Sequence, residues 1–169
     1  CTPNHLHREM ILEAAAAGKH IYCDKPLAIS GSEASEIVAA VQGKGLVHQV
    51  AFNLRFLPAT MRARQLVDEG RIGRILGFRA VYLHAGSVDP QKPAGWKLDP
   101  SVSGGGVLVD MGSHILDLVR YLVGDYRKIA ARSRVLYPQR PTGSGQTLEM
   151  TAEDSICLIA EMADGSIGT

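Results

Sequence analysis

Strong charge of one sign is missing from this sequence. Its 18 Lys and Arg stand against 17 Asp and Glu, a formal net charge of +1, so no global field marks it for nucleic acid or an anionic membrane. Long apolar runs are missing too. None approaches the roughly 18 residues of a membrane-spanning helix, so no membrane partner is expected. Cysteine is scarce. Cys1, Cys23 and Cys157 are widely spaced, which excludes a disulfide framework and a Cys-based zinc motif. Three reduced, buried thiols in a cytoplasmic setting are the expectation. An initiator Met is also absent, and the chain stops at Gly168-Thr169, just past a hairpin-like Ala163-Asp164-Gly165. The chain therefore reads as a piece of a longer protein, in which an upstream signal would be invisible.

What remains is ordinary globular material. The length is 169 residues, with 46% hydrophobic and 21% charged, enough for a real core. Thr2-Pro3-Asn4-His5 reads as a turn entering a helix over about 7–17, with Thr2 or Asn4 as its cap. A strand follows at 20–24, stopped by Lys25-Pro26. Ser30 or Ser32 caps a second helix to about Gly43, with Glu33 and Glu36 favoured near its start. Residues 46–52 form another strand. This helix–strand rhythm with short links predicts a mostly parallel sheet.

The character changes near residue 53. Pro58 starts a helix to about Asp68, and 71–83 reads as a long strand. An irregular loop covers 85–103, of the kind often tied to function. Strands are expected at 126–136, 153–162 and from 166 onward, with 137–151 loop-like. The second part thus reads as α+β with a largely antiparallel sheet.

Residues 104–125, GGGVLVDMGSHILDLVRYLVGD, form the most distinctive stretch. Three glycines lead into a helical pattern. Val107, Leu108, Met111, Ile115, Leu118, Val119 and Leu122 share one broad apolar arc, which predicts a largely buried helix. Asp110, His114, Asp117 and Tyr121 stack as a polar stripe beside it. That stripe is either a solvated face or the wall of a site. His114 is the best general base, because imidazole takes a proton near neutral pH. Asp110 can orient it, or the pair can bind a metal, although no third ligand stands beside them. Lys25, at the end of a parallel strand, occupies the place where open α/β sheets bind ligands. His5 and His7 can bind metal or phosphate, or simply cap and face solvent. Asn53 and Arg55 can reach a phosphate or a substrate hydroxyl. Trp96 and Lys97 can cover a planar ligand and pair with an anion.

Five blocks in order, CTPNHLH, GKHIYCDKPLA, VAFNLRFLPA, the 104–125 stretch and EDSICLIAEMADGSIGT, resemble the glucose-fructose oxidoreductase / inositol dehydrogenase / MocA (Gfo/Idh/MocA) family. The resemblance implies the last part of a Rossmann NAD(P)-binding domain over 1–53. It implies a partial α/β domain over 54–169 with an open sheet that supports homo-oligomers. It implies an NAD(P)-dependent oxidoreductase acting on a sugar, cyclitol or related polyol, with NAD or NADP as cofactor and no metal. Lys25, Asp110 and His114 match the family's catalytic positions. Thr2, Pro3, Asn4, His5, Asp24, Lys25, Pro26, Asn53, Arg55, Trp96 and Lys97 match positions near the cofactor. Asp24 stands where Glu is usual, and Lys97 where Arg is frequent, which loses a bidentate fork. The family's G-x-G-x-x-G turn is absent. Gly104-Gly105-Gly106 is no substitute, because it follows a loop rather than a strand. A glycosidase that uses NAD transiently, or a non-catalytic sugar or redox sensor, are the rival readings on the same fold.

Overall fold

The computed structural model describes residues 2–169. In chain order the helices are α1 His7–Ala16, α2 Gly31–Val41, α3 Pro58–Asp68, α4 Pro100–Ser103 and α5 Ser113–Leu122. The strands are β1 Ile21–Cys23, β2 His48–Val50, β3 Gly77–Phe78, β4 Tyr126–Arg134, β5 Gln139–Pro141, β6 Thr147–Glu149, β7 Ser155–Met162 and β8 Ile167–Gly168.

The first part is a parallel pair, β1 beside β2, joined through α2. Ser30 caps α2 by accepting from the Glu33 N–H (3.2 Å), and the Glu33 carboxylate reaches back to the Ile29 N–H (3.2 Å). This reciprocal arrangement satisfies donors that a helix start leaves orphaned. Ile11, Cys23 and Ile37 form the local core, with Ile21, Leu27 and Ala28 against it. Burial pushes the Cys23 thiol up, so it behaves as a small hydrophobe.

The second part is a sheet in the order β3-β8-β7-β4. It is antiparallel except for β3 beside β8, which is parallel. α5 lies on one face, where Val119 packs with Ala160 and Met162, and with Phe78, Ile115, Tyr126 and Leu158 around them. The Tyr126 hydroxyl donates to the Leu116 carbonyl (2.9 Å). Burial, with the nearby Asp117 charge, pushes its pKa up to about 12.

Several expectations change. Neither Thr2 nor Asn4 caps α1. A 3-10 turn, Asn4–Leu6, precedes it, and the buried Asn4 amide donates instead to the Ser103 carbonyl (2.8 Å). The strand expected over 71–83 shrinks to Gly77–Phe78, the two residues paired in register with β8. Thr169 extends the ladder, its N–H donating to the Phe78 carbonyl (3.3 Å) and its carbonyl accepting from the Ala80 N–H (2.8 Å). Residues 137–151 are not all loop. β5 and β6 pair as an antiparallel hairpin there. The loop over 85–103 contains two 3-10 turns and α4.

The helix after Gly106 is not uniform. Leu108–Gly112 is a π turn, and α5 begins only at Ser113. The Ser113 hydroxyl donates to the Val109 carbonyl across it (2.7 Å). A widened turn shifts the phase of the side chains before it relative to those after it. The apolar arc is therefore split. Val119 is buried and Ile115 packs on the sheet, while Val107 and Met111 line a cavity.

Candidate active site

The Gly104–Gly106 run is a junction, not a phosphate cradle. Gly104 adopts φ +87°, and a Cβ there would stand 2.7 Å from the Ile29 Cα. Gly106 lies so close to the Glu153 backbone that a Cβ would occupy the space of its carbonyl. Only glycine allows the segment before the π turn to touch the first part of the chain at Ile29 and the residue ahead of β7 at Glu153. Gly106→Ala is expected to destabilise the fold by about 1–3 kcal/mol, the usual cost of overpacking a tight contact. Urea denaturation of the variant checks this.

The junction delivers Asp110 to Lys25, 85 positions away in sequence. The Lys25 ammonium donates to Asp110 Oδ1 (2.8 Å) and to the Asp110 carbonyl (2.5 Å). Its side chain is only 16% exposed. Lys97 donates to both oxygens of the same carboxylate (3.0 and 3.1 Å). Burial alone would push the Asp110 carboxyl up, but hydrogen bonds and charge from the two lysines outweigh it and hold it below the usual carboxylate range. Asp110 is thus an anion clamped between two cations.

His114 follows Asp110 along the same helical segment. Its Nδ1 is buried with no hydrogen-bond partner among the described residues, and its ring meets Phe52 edge to face at 6.0 Å. Burial, and then the Lys25 charge, push its pKa below the ordinary histidine value against the opposing pull of Asp110, Asp117 and Asp24. A neutral imidazole beside a cation is chemically able to accept a proton.

Two cavities meet at the clamp. One of about 340 Å³ is lined by Thr2, Pro3, Asn4, Asp24, Lys25, Trp96, Lys97 and Asp110, among others. The other, about 410 Å³, lies beyond Trp96, Lys97, Gly106 and Asp110, and is closed by His84, Lys92, Arg140, Glu153 and Asp154. The charges in the second cavity are already engaged. Arg140, 2% exposed, donates to the Asp89 and Ser87 carbonyls (2.7 and 2.5 Å). Asp154 accepts from the Leu136 and Tyr137 N–H groups (2.7 and 3.2 Å). Glu153 accepts from Gly106 and Leu108 (3.0 Å each), and Lys92 donates to the Gly86 carbonyl.

The structure does not bring every candidate to these walls. His5 and Asn53 are exposed and line neither cavity. His114 contributes to neither lining surface, although it sits in the field of Lys25. Pro26 stands behind Lys25, and its carbonyl accepts from the His7 Nδ1–H (2.7 Å). Arg55 turns to α5, where Nε and Nη2 grip both Asp117 oxygens. The Tyr121 ring lies between Arg55 and Arg64, whose guanidinium carbons are 5.2 and 5.8 Å from its centroid. The second half of the polar stripe therefore docks α3 and the 53–56 turn onto α5. Among the described residues no cluster of His, Cys, Asp or Glu could hold a metal, and no helix is long and apolar enough to cross a membrane.

His7, read from sequence as a metal or phosphate ligand or an exposed cap, is instead buried and braces the Lys25-Pro26 turn. Two contributors were not singled out from sequence. Arg140 sits in a Pro- and Gly-rich stretch that read as loop. Glu153 lies two residues before β7 and carries no motif of its own.

Residues 60–169 match the family model described as GFO/IDH/MocA C-terminal domain, and residues 1–52 match one described as oxidoreductase family, NAD-binding Rossmann fold. Levoglucosan dehydrogenase of Pseudarthrobacter phenanthrenivorans is 40% identical over 99% of this chain and 46% of its own length. Inositol 2-dehydrogenase of Rhizobium meliloti is 30% identical over 98% of this chain and 46% of its length. A solved structure of levoglucosan dehydrogenase in complex with NADH and L-sorbose superposes with a TM-score of 0.97 at 42% identity, covering 99% of this chain and 45% of that one. The chain spans about half the length of the curated relatives it matches.

Proposed function

This chain belongs to the Gfo/Idh/MocA family of oxidoreductases, and from that premise we propose that it carries the reacting groups of a longer NAD(P)-dependent enzyme. Its substrate is a sugar, cyclitol or related polyol. The observation that carries the reading is the contact between Lys25 and Asp110. A strand end of the first part and the helical segment of the second meet on one ion pair, at the meeting of two cavities.

The smaller cavity suits the nicotinamide end of the cofactor, because Thr2, Pro3, Asn4 and Asp24 supply a narrow polar wall beside Lys25 and Trp96. A nicotinamide held there by these residues would supply the hydride donor or acceptor for the reaction. His114 takes the hydroxyl proton. Lys25 hydrogen-bonds the same oxygen and stabilises its developing negative charge. Asp110 holds Lys25 in place through its carboxylate and its carbonyl. Lys97 shares that carboxylate and so ties the 85–103 loop to the site. The larger cavity suits an uncharged, hydroxyl-rich ring, since its own charged groups are already hydrogen-bonded within the protein. Such a ring meets fixed donors and acceptors without leaving an ion unpaired.

The division between the two parts is placed between residues 53 and 54. A homo-oligomer through the open face of the second sheet, where Ile159 and Ile167 are each 58% exposed, and a cytoplasmic location complete the proposal. The test is a substrate panel on the full-length protein with NAD or NADP. Neutral polyols should give stoichiometric reduced cofactor, while the corresponding uronates should turn over poorly. Glycoside cleavage with no net reduced cofactor would move the reading to the NAD-using glycosidase class.

A further inference from the structure

The π turn that carries Asp110 begins with its N–H groups facing away from any helical partner, and a residue from another element receives them. Glu153, at the entrance to β7, accepts from the Gly106 N–H through one carboxylate oxygen and from the Leu108 N–H through the other, both at 3.0 Å. Its backbone carbonyl accepts the N–H between them, that of Val107, at 2.7 Å. Three consecutive donors at the start of the catalytic segment are therefore satisfied by one residue. A helix start leaves such donors orphaned and carries partial positive charge, so a carboxylate receiving two of them binds in charge-assisted fashion. The glycine at 106 is what lets the two backbones approach closely enough.

We propose that Glu153 is a positioning residue for the catalytic set. It fixes where the π turn begins, and with it the height of Asp110 against Lys25 and of His114 one turn later. The inference rests on the reading of His114 as base and Lys25 as oxyanion donor. Glu153 stands in the wall of the larger cavity with both carboxylate oxygens already engaged, touches neither the nicotinamide cavity nor Lys25, and acts through the N–H groups it holds. A Gln at 153 keeps the shape but turns an amide NH₂ towards one of the two donors. The segment is then free to slide, and a shift of about 1 Å costs up to about 10²-fold in rate.

The test is Glu153→Gln and Glu153→Asp in the full-length protein, with His114→Ala beside them. Glu153→Gln is expected to lower kcat by about 10–100-fold with reduced-cofactor affinity nearly unchanged, while a melting scan still shows a folded protein. Glu153→Asp keeps the charge, reaches only one donor, and should fall between wild type and Gln. The second readout is the acid limb of kcat/KM. Lys25, Asp110, Asp117 and Asp24 are the charged groups that act on His114. Moving the imidazole away from Lys25 should shift that limb upward in pH in the Gln variant. Wild-type kcat and an unshifted limb in Glu153→Gln, with His114→Ala inactive, would overturn the positioning role and leave the base assignment standing. Full activity in His114→Ala would overturn both.

Discussion

Replacing His114 by Ala in the full-length protein is expected to lower kcat by roughly 10²–10⁴-fold, the usual worth of a positioned general base. Affinity for reduced cofactor should change little, because His114 is no part of the wall that Thr2, Pro3, Asn4, Asp24 and Lys25 build. Steady-state rates and fluorescence titration of NAD(P)H separate the two effects. The pH profile of the wild type carries a second expectation. Burial and the Lys25 charge hold the imidazole pKa below its ordinary value, so the neutral, proton-accepting form persists to lower pH than a free histidine would allow. The acid limb of kcat/KM should therefore lie below about 6.5. The same sign applies to stability. A histidine whose folded pKa is depressed contributes stability that is present above the unfolded value and lost as pH falls through the folded one. Turnover of the His114 variant near wild type from about pH 6 to 9 would remove His114 from the mechanism.

Lys25→Ala should show a different pattern. Loss of a donor aimed at developing negative charge costs about 10²–10³-fold in kcat. Here cofactor affinity should fall as well, since Lys25 lines the same cavity as Thr2 to Asn4. Asp110 would keep Lys97 as its cation, at 3.0 and 3.1 Å, but would lose the more buried of its two partners. Its carboxyl should titrate at higher pH than in the wild type. The contrast between the two variants separates substrate chemistry from dinucleotide binding. If both lost only cofactor affinity, the pair would belong to the dinucleotide site and the sensor reading would gain.

The sequence made some of this architecture legible and hid the rest for identifiable reasons. α3 shows the boundaries its sequence predicts, because Pro58 fits the first helical position and the apolar period is regular. α2 announces itself through Ser30 and Glu33, a local signal that needs no tertiary context. Failures came where a distant partner decides. The 71–83 strand looks complete in isolation, yet only residues with a β8 neighbour pair. The β5–β6 hairpin lies in composition that reads as loop, and it is organised partly by the buried Arg140 guanidinium, whose partners at Ser87 and Asp89 are some fifty positions away.

The stripe on the 104–125 stretch was visible as a pattern but not in its division of labour. Asp117 and Tyr121 look equivalent to Asp110 and His114 at helical spacing. They serve docking, because Arg55 and Arg64 reach them. The π turn over Leu108–Gly112 has no periodic signature at all. The N–H groups before it meet Glu153, a residue 47 positions from Gly106. The meeting of Lys25 and Asp110 was legible only through the family resemblance, since nothing in spacing brings residues 25 and 110 together.

The central claim is that Lys25, Asp110 and His114 act together on a hydroxyl whose carbon exchanges hydride with the nicotinamide. A single-turnover experiment tests it most directly. Full-length wild type and the His114→Ala variant are each saturated with oxidised cofactor and mixed rapidly with a neutral polyol that the wild type accepts. Formation of reduced cofactor is followed by its absorbance, with and without deuterium at the reacting carbon. The account predicts a rapid, isotope-sensitive rise to one equivalent in the wild type, and a rise slowed by roughly 10²–10⁴-fold in a variant that still binds cofactor. An equally fast rise in the variant, or a wild type that consumes substrate while no reduced cofactor accumulates at any time, would contradict it.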